Sequence, residues 1–184
     1  MCLGAAGIAY TNATITFPEL KGRKGEVETF PLGSVPVLTL PSGKTFCQSA
    51  AMARWAAKKA GLYPADDDAA LAVDELIDSA SEFSGGVPQL PDAAAKKAAR
   101  EAWVAEKLPR FASYFVRRLG AGPFFLGASL SLADLQVFAS INGIKTGDWD
   151  YISPEVLNAY PTLLSFHMAV KEHPAVVAHG GLAK

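Results

Sequence analysis

Gln48-Ser49, at the opening of a helix, is the pair of residues best suited to chemistry in this sequence. Unpaired amides and the dipole at a helix start make a ready cradle for an anion, with the Ser49 amide and hydroxyl and the Gln48 amide as donors. An ordinary serine cap accounts for the same residues equally well on sequence alone. Pro36 stands inside an apolar run and cannot donate to a central ladder, so it marks a bend or a special peptide bond at the start of a strand. The two thiols, Cys2 and Cys47, form neither a disulfide framework nor a C-x-x-C site, and Cys47 reads as a core thiol. His167, His173 and His179 are spaced six apart, which scatters them round a helix, and no Cys/His cluster accompanies them; no metal is expected. Gly120-Ala-Gly122 lacks phosphate-loop spacing, and no G-x-S-x-G elbow is present. Tyr10 reads as structural, and Trp103, Phe111, Tyr114 and Phe115 recur at roughly helical spacing, which means core.

The elements that must position these residues divide into two sets. Met1 to Ala6 read as the tail of an apolar helix closed by Gly7 in a left-handed cap. Residues 8 to 17 alternate apolar and polar, a strand signal that Pro18 ends. Lys21 to Glu28 is charged and Gly-rich, hence a solvated loop. Val35 to Leu40 and Thr45 to Cys47 form a hairpin about the turn Pro41-Ser42-Gly43-Lys44. Gln48 to Ala60 is an Ala-rich helix stopped by Gly61. This first unit, residues 1–62, is α/β.

Beyond Pro64 everything has helical period, so residues 66–184 form an all-helical second domain. One helix follows Asp66-Asp67-Asp68 and runs to about Phe83. A second runs from about Asp92 to Leu119 with a kink or break at Pro109, a third opens at Ser131, and a fourth lies between Pro161 and Pro174. In the third, Ser131 and Asp134 form a capping box, and Leu130 closes on Leu135 as a hydrophobic staple. This helix is apolar nearly all round and belongs at the centre of a bundle.

Composition narrows the classes further. The chain has 184 residues, half of them hydrophobic, with 17 basic and 18 acidic side chains for a net charge of −1. That balance gives no field for nucleic acid or an anionic membrane surface, and no apolar run approaches the ~20 residues of a bilayer span. The amino terminus lacks the basic region and long apolar stretch of an export signal, so a reduced cytoplasmic setting is the expectation.

Three segments in order, Gly33-Ser-Val-Pro-Val-Leu38, Gln48-Ser-Ala-Ala-Met-Ala-Arg-Trp55 and Leu126-Gly-Ala-Ser-Leu-Ser-Leu-Ala-Asp-Leu135, resemble a cytosolic glutathione transferase. Ile15-Thr-Phe-Pro-Glu-Leu-Lys21 and Val73-Asp-Glu-Leu-Ile-Asp-Ser-Ala-Ser-Glu-Phe83 point to the sigma-like branch. The resemblance implies a thioredoxin-like glutathione-binding domain followed by a helical bundle, assembled as a homodimer. It implies that glutathione sulfur is added to small apolar electrophiles, as in detoxification. In this family the first strand, with the tyrosine that activates the thiol, precedes the point where Met1 stands. The resemblance therefore implies a domain shortened at its first strand, with no catalytic residue to name in the chain as written. It further implies that Val35-Pro36 is a cis-proline turn whose Val35 backbone pairs with the cysteinyl unit, and that Gln48 and Ser49 hold the γ-glutamyl carboxylate. Phe17 and Lys21 fall where relatives place an aromatic and a lysine against the glycyl carboxylate, although Phe17 lacks an indole donor. Glu82, with Asp78 one turn earlier, matches an acid that reaches the substrate's amino group from the partner subunit. The alternatives are a ligandin- or crystallin-like protein that binds without catalysis, a glutathione-dependent isomerase, and an interaction domain.

Overall fold

A computed structural model describes residues 2–5 and 7–178. The first half has little regular structure. Helix α1 (Cys2–Ala5) is followed by Gly7 at φ +63°, the left-handed position expected of it. Residues 8–16 then run without helix or ladder. Helix α2 (Phe17–Arg23) comes next, where sequence alternation implied a strand ending at Phe17 and a loop from Lys21. The reason is local. The Thr16 hydroxyl accepts from the Glu19 amide at 3.4 Å, and the Glu19 carboxylate accepts from the Thr16 amide at 2.8 Å. With Pro18 in the first turn, this capping box nucleates a helix over the alternating pattern. No residue of α2 is buried, so it lies on the surface.

The hairpin forms where the turn chemistry placed it, but it is short. β1 (Leu38–Thr39) pairs antiparallel with β2 (Thr45–Phe46) in the register Leu38↔Phe46 and Thr39↔Thr45. A two-stranded sheet is what the described residues contain. Helix α3 (Ser49–Ala60) follows and ends at Gly61 with φ +69°.

The helical half matches its sequence signals closely. Asp66 caps α4 (Asp67–Gly85), accepting from the Ala69 amide at 2.9 Å, and Asp92 caps α5 (Ala93–Leu119), accepting from Ala95 at 2.7 Å. Pro109 lies inside α5, which continues past it as one helix. Helix α6 (Leu132–Lys145), a short 3₁₀ turn (Pro154–Ala159), α7 (Pro161–Glu172) and α8 (Pro174–Val177) complete the order. Helix α6 packs chiefly on α4 and α7 and buries Leu132, Leu135, Val137, Phe138, Ile141 and Ile144. Phe83 is the hub of the aromatic core, its ring 5.0 Å from Trp103, 5.4 Å from Phe111 and 5.9 Å from both Phe115 and Trp149. Tyr114, in the same stripe, is half-buried.

Two buried polar groups hold this core to its loops. The Asp134 carboxylate accepts from the Ser131 amide at 2.7 Å, the Ser131 hydroxyl at 2.6 Å and the Phe125 amide at 2.8 Å. The capping box thus doubles as an anchor for the turn before α6. Arg100 on α5 donates to the carbonyls of Pro88 at 2.9 Å and Asp150 at 2.6 Å and pairs with the Asp150 carboxylate, which also receives Lys96 at 2.6 Å. A buried guanidinium needs this many acceptors to offset its lost hydration.

Candidate functional site

The hairpin register decides which candidate residues meet. Pro36 lies two residues before Leu38, and Gln48 lies two residues after Phe46, the partner of Leu38. Both chains therefore leave the ladder at the same end, with Val35-Pro36 on one and Gln48-Ser49 on the other. The Val35–Pro36 peptide bond is cis, and Val35 is exposed.

On the other side of this end, Gln48 occupies the cap position of α3 and Ser49 is its first helical residue. Ser49 is therefore not the cap, as the bland reading of its type had it. Gln48 has φ +72°, a left-handed value that costs a residue with a Cβ roughly 1–3 kcal/mol, and it caps the helix without a side-chain hydrogen bond. Its carbonyl accepts the first bond of the helix, from the Met52 amide at 3.1 Å. The amides of the first turn thus point out of the helix beside the proline turn. Such an array is donor-rich and suits a carboxylate.

The other candidates lie elsewhere. Phe17 and Lys21 sit four residues apart on one face of α2, both exposed, Phe17 at 89%. Asp78 and Glu82 sit one turn apart on α4, each in an ion pair within the chain. Asp78 receives Arg54 at 3.1 Å and Glu82 receives Arg110 at 3.0 Å.

Arg54 is a residue whose place sequence reasoning passed over, although it stands inside the quoted segment Gln48–Trp55. From α3 it donates to Asp74 at 2.6 Å and to Asp78 on α4, while the Tyr63 hydroxyl donates to Asp74 at 2.9 Å. Burial works against the Asp74 carboxylate, but the bonds from Arg54 and Tyr63 outweigh it and hold its pKa below the ordinary value. This cluster fixes α3, and so the Ser49 end of it, against the bundle. Its partners are too far apart in sequence for spacing to have signalled them.

Cys47 is half-buried beside β2, not in the core. Tyr10 and the half-buried Cys2 line an apolar cavity between α1, β1, α3 and α6, and burial pushes the Cys2 thiol pKa up. Among the described histidines, His167 is buried, stacks on Phe138 at 4.6 Å and bonds Asn142 at 3.0 Å; His179 lies outside the described residues. No described helix is long and apolar enough to cross a membrane.

The family model of the glutathione S-transferase C-terminal domain matches residues 78–180. No curated protein sequence matches closely enough to count as a relative. Among solved structures, prostaglandin synthase D of Nilaparvata lugens is 25% identical with a TM-score of 0.82, over 96% of this chain and 86% of its own. The rat hPGDS complexed with a quinoline is 23% identical with a TM-score of 0.85, over 96% and 85%. The Pi-class glutathione S-transferase of Onchocerca volvulus is 20% identical with a TM-score of 0.78, over 97% and 83%. The last two likenesses are of fold, whereas the family model spans more than half of the sequence, including the whole of α5 and α6. The chain belongs to the glutathione S-transferase family.

Proposed function

We propose that this protein binds glutathione at the end of the β1–β2 ladder and presents its sulfur to small apolar electrophiles as a transferase. The observation that carries the reading is the convergence there of a cis Val35–Pro36 peptide with the outward amides of Gln48 and Ser49. An extended tripeptide can pair with the Val35 backbone as an added strand and set a carboxylate on the helix start. Lys21, with Phe17 beside it, supplies the second anion contact. Asp78 and Glu82 act from the partner of a homodimer on the ammonium group, the second of them by exchanging its arginine for the ligand. Catalysis is then positioning of the thiolate near the electrophile. The same site serves an isomerase if the sulfur leaves again, and Nilaparvata lugens prostaglandin synthase D shares the fold.

A second reading, binding without conjugation, draws on Tyr10. It is the sole tyrosine among the first 62 residues, and it lines the apolar cavity with Leu132 and Leu135. One experiment separates these readings. The purified protein is passed over immobilised glutathione, and the retained fraction is assayed with a chlorodinitrobenzene-type substrate. Retention with turnover supports the transferase, and retention without turnover supports the binder. Ser49→Ala should weaken retention by about tenfold or more, since a hydrogen bond to a charged group contributes roughly 1.5–3 kcal/mol. Lack of retention by the unaltered protein refutes both.

A further inference from the structure

A cavity of about 370 Å³ opens between α1, β1, α3 and α6, and none of Val35, Pro36, Gln48 or Ser49 lines it. Leu38, Met52, Ala53 and Leu135 give it aliphatic walls, and no charged side chain lines it. The half-buried Cys2 thiol adds no charge either, since burial pushes its pKa up and keeps it protonated.

One polar group on this surface is unlike the rest. Leu132, Leu135, Gln136 and Ala139 line the cavity at the i, i+3, i+4 and i+7 spacing of a single helix face, so Gln136 is on the side of α6 turned toward it. The other polar side chains in the body of α6 are engaged. Asp134 accepts from the Ser131 and Phe125 amides, Ser140 bonds Ser84 and the Ala80 carbonyl, and Asn142 bonds His167. The half-buried Gln136 side chain meets no hydrogen-bond partner among the described residues. An amide carries two N–H donors and an acceptor, and on a helix whose other polar groups are satisfied these are left for whatever fills the space they border.

We propose that the cavity binds an uncharged, largely apolar molecule about the size of two fused six-membered rings, whose carbonyl oxygen accepts a hydrogen bond from the Gln136 side-chain amide. Size follows from volume. A cavity of about 150 Å³ takes benzene, so this one has room for roughly twice as many heavy atoms. The absence of charge follows from the walls. An ion would lose its hydration to a lining that returns nothing, whereas a ketone exchanges one hydrogen bond to water for one to Gln136. A hydrocarbon of the same shape would leave the amide dry and unpaired. The molecule is held and not consumed, since a simple ketone has no group for a thiol to displace. Nothing at the glutathione site takes part.

Isothermal titration of the full chain with 1-tetralone and with tetralin, which has the same ring skeleton without the oxygen, measures what the amide contributes. The ketone should bind about fivefold more tightly, the size of one neutral hydrogen bond. Gln136→Leu keeps the side-chain bulk and removes the amide, and should bring the two probes to within twofold. The anionic 2-naphthoate, of similar size, should bind at least tenfold more weakly than 1-tetralone. Cys2 lines the cavity, so saturating ketone should slow its alkylation by iodoacetamide at least fivefold, read by mass spectrometry. Equal affinity for ketone and hydrocarbon in the unaltered protein overturns the proposal, whether or not Gln136→Leu folds. So does binding of neither at about 1 mM, tighter binding of the naphthoate, or binding that leaves Cys2 alkylation unchanged. A preference for the ketone that survives in Gln136→Leu places the contact elsewhere and overturns it too. Retention on immobilised glutathione, measured in parallel, should be unaffected by 1-tetralone; displacement by the ketone would show one shared site and refute a separate one.

Discussion

Removing the Asp134 side chain should destabilise the protein more than any surface change. Asp134 is fully buried and accepts three hydrogen bonds, two of them from backbone amides that have no other route to an acceptor once the turn before α6 has closed. Asp134→Ala leaves the Phe125 and Ser131 amides unsatisfied. At roughly 1–3 kcal/mol for each buried donor, the expected loss is about 3–5 kcal/mol, a large share of the 5–15 kcal/mol typical of a whole domain. Asp134→Asn keeps an oxygen for one amide but turns an NH₂ toward the other. It should cost about 2 kcal/mol. Burial raises the Asp134 pKa against the pull of these donors, so Asn also removes a costly buried charge and is the milder change. The assay is equilibrium urea unfolding with the slope m compared across variants, a fall in midpoint at constant m being a stability change. A loss below 1 kcal/mol for Ala, or a larger loss for Asn than for Ala, would refute the assignment of Asp134 as an anchor of two amides.

Three further outcomes follow from particular contacts. Burial, with Lys171 and Lys145 nearby, pulls the His167 pKa from 6.5 down to about 4. The unfolded chain therefore binds the proton first, and stability falls as pH drops from 6.5 to 4, by up to about 3 kcal/mol from this group; His167→Gln should lack that component in unfolding measured across the same range. Arg54→Met should cost about 1–2 kcal/mol and free α3 from α4, seen as faster amide exchange in Ser49–Ala60, whereas unchanged exchange there would show that apolar packing alone holds α3. Gly143→Ala would ordinarily gain about 1 kcal/mol in a helix. Here its Cβ would stand 3.1 and 3.2 Å from the Trp149 ring, itself packed on Phe83 and Trp103, so a net loss in Tm is expected.

Where the sequence was legible, short-range chemistry decided the structure. The helix starts at Asp66 and Asp92, the Ser131 capping box, the Gly61 stop and the Pro41–Lys44 turn each work within four residues and stand where they were read, and the structure adds that Asp66 and Asp92 are themselves the caps. The stretch from Ile15 to Phe17 shows the limit of that approach. Its alternation is genuine, but it extends over a segment whose end carries Thr16-x-x-Glu19, and the same capping chemistry recognised at Ser131 prevails there. The strand reading was a competition between two local signals, and the one with hydrogen bonds won. The proline turn and the helix start could be placed together because a hairpin register transmits position along a ladder. Nothing comparable ties α2 to that ladder, and the positions of Phe17 and Lys21 relative to it were not written in any spacing. Arg54 and Arg100 were illegible for a different reason. Their acceptors lie 12 to 50 residues away, so only the assembled bundle reveals them.

These long-range contacts bear on the site more directly than their distance implies. Helix α3 has its first residue at the candidate anion site and its last turn against the bundle. There the Leu62 carbonyl accepts from the Leu132 amide at 2.8 Å, the amide that opens α6. Arg54, midway along α3, is held by Asp74 and Asp78. A twelve-residue helix pinned at its middle and its end has little freedom to move its beginning. The left-handed Gln48 is kept in place by the same restraint, since a residue in that region persists only where its surroundings over-determine it. The hairpin, by contrast, has two short strands and most of its residues exposed, so the proline side of the site depends on the helix side for its order. The bundle matched by the family model is therefore what gives the donor array its geometry, although no residue of the proposed Val35, Pro36, Gln48 and Ser49 site lies within the matched segment.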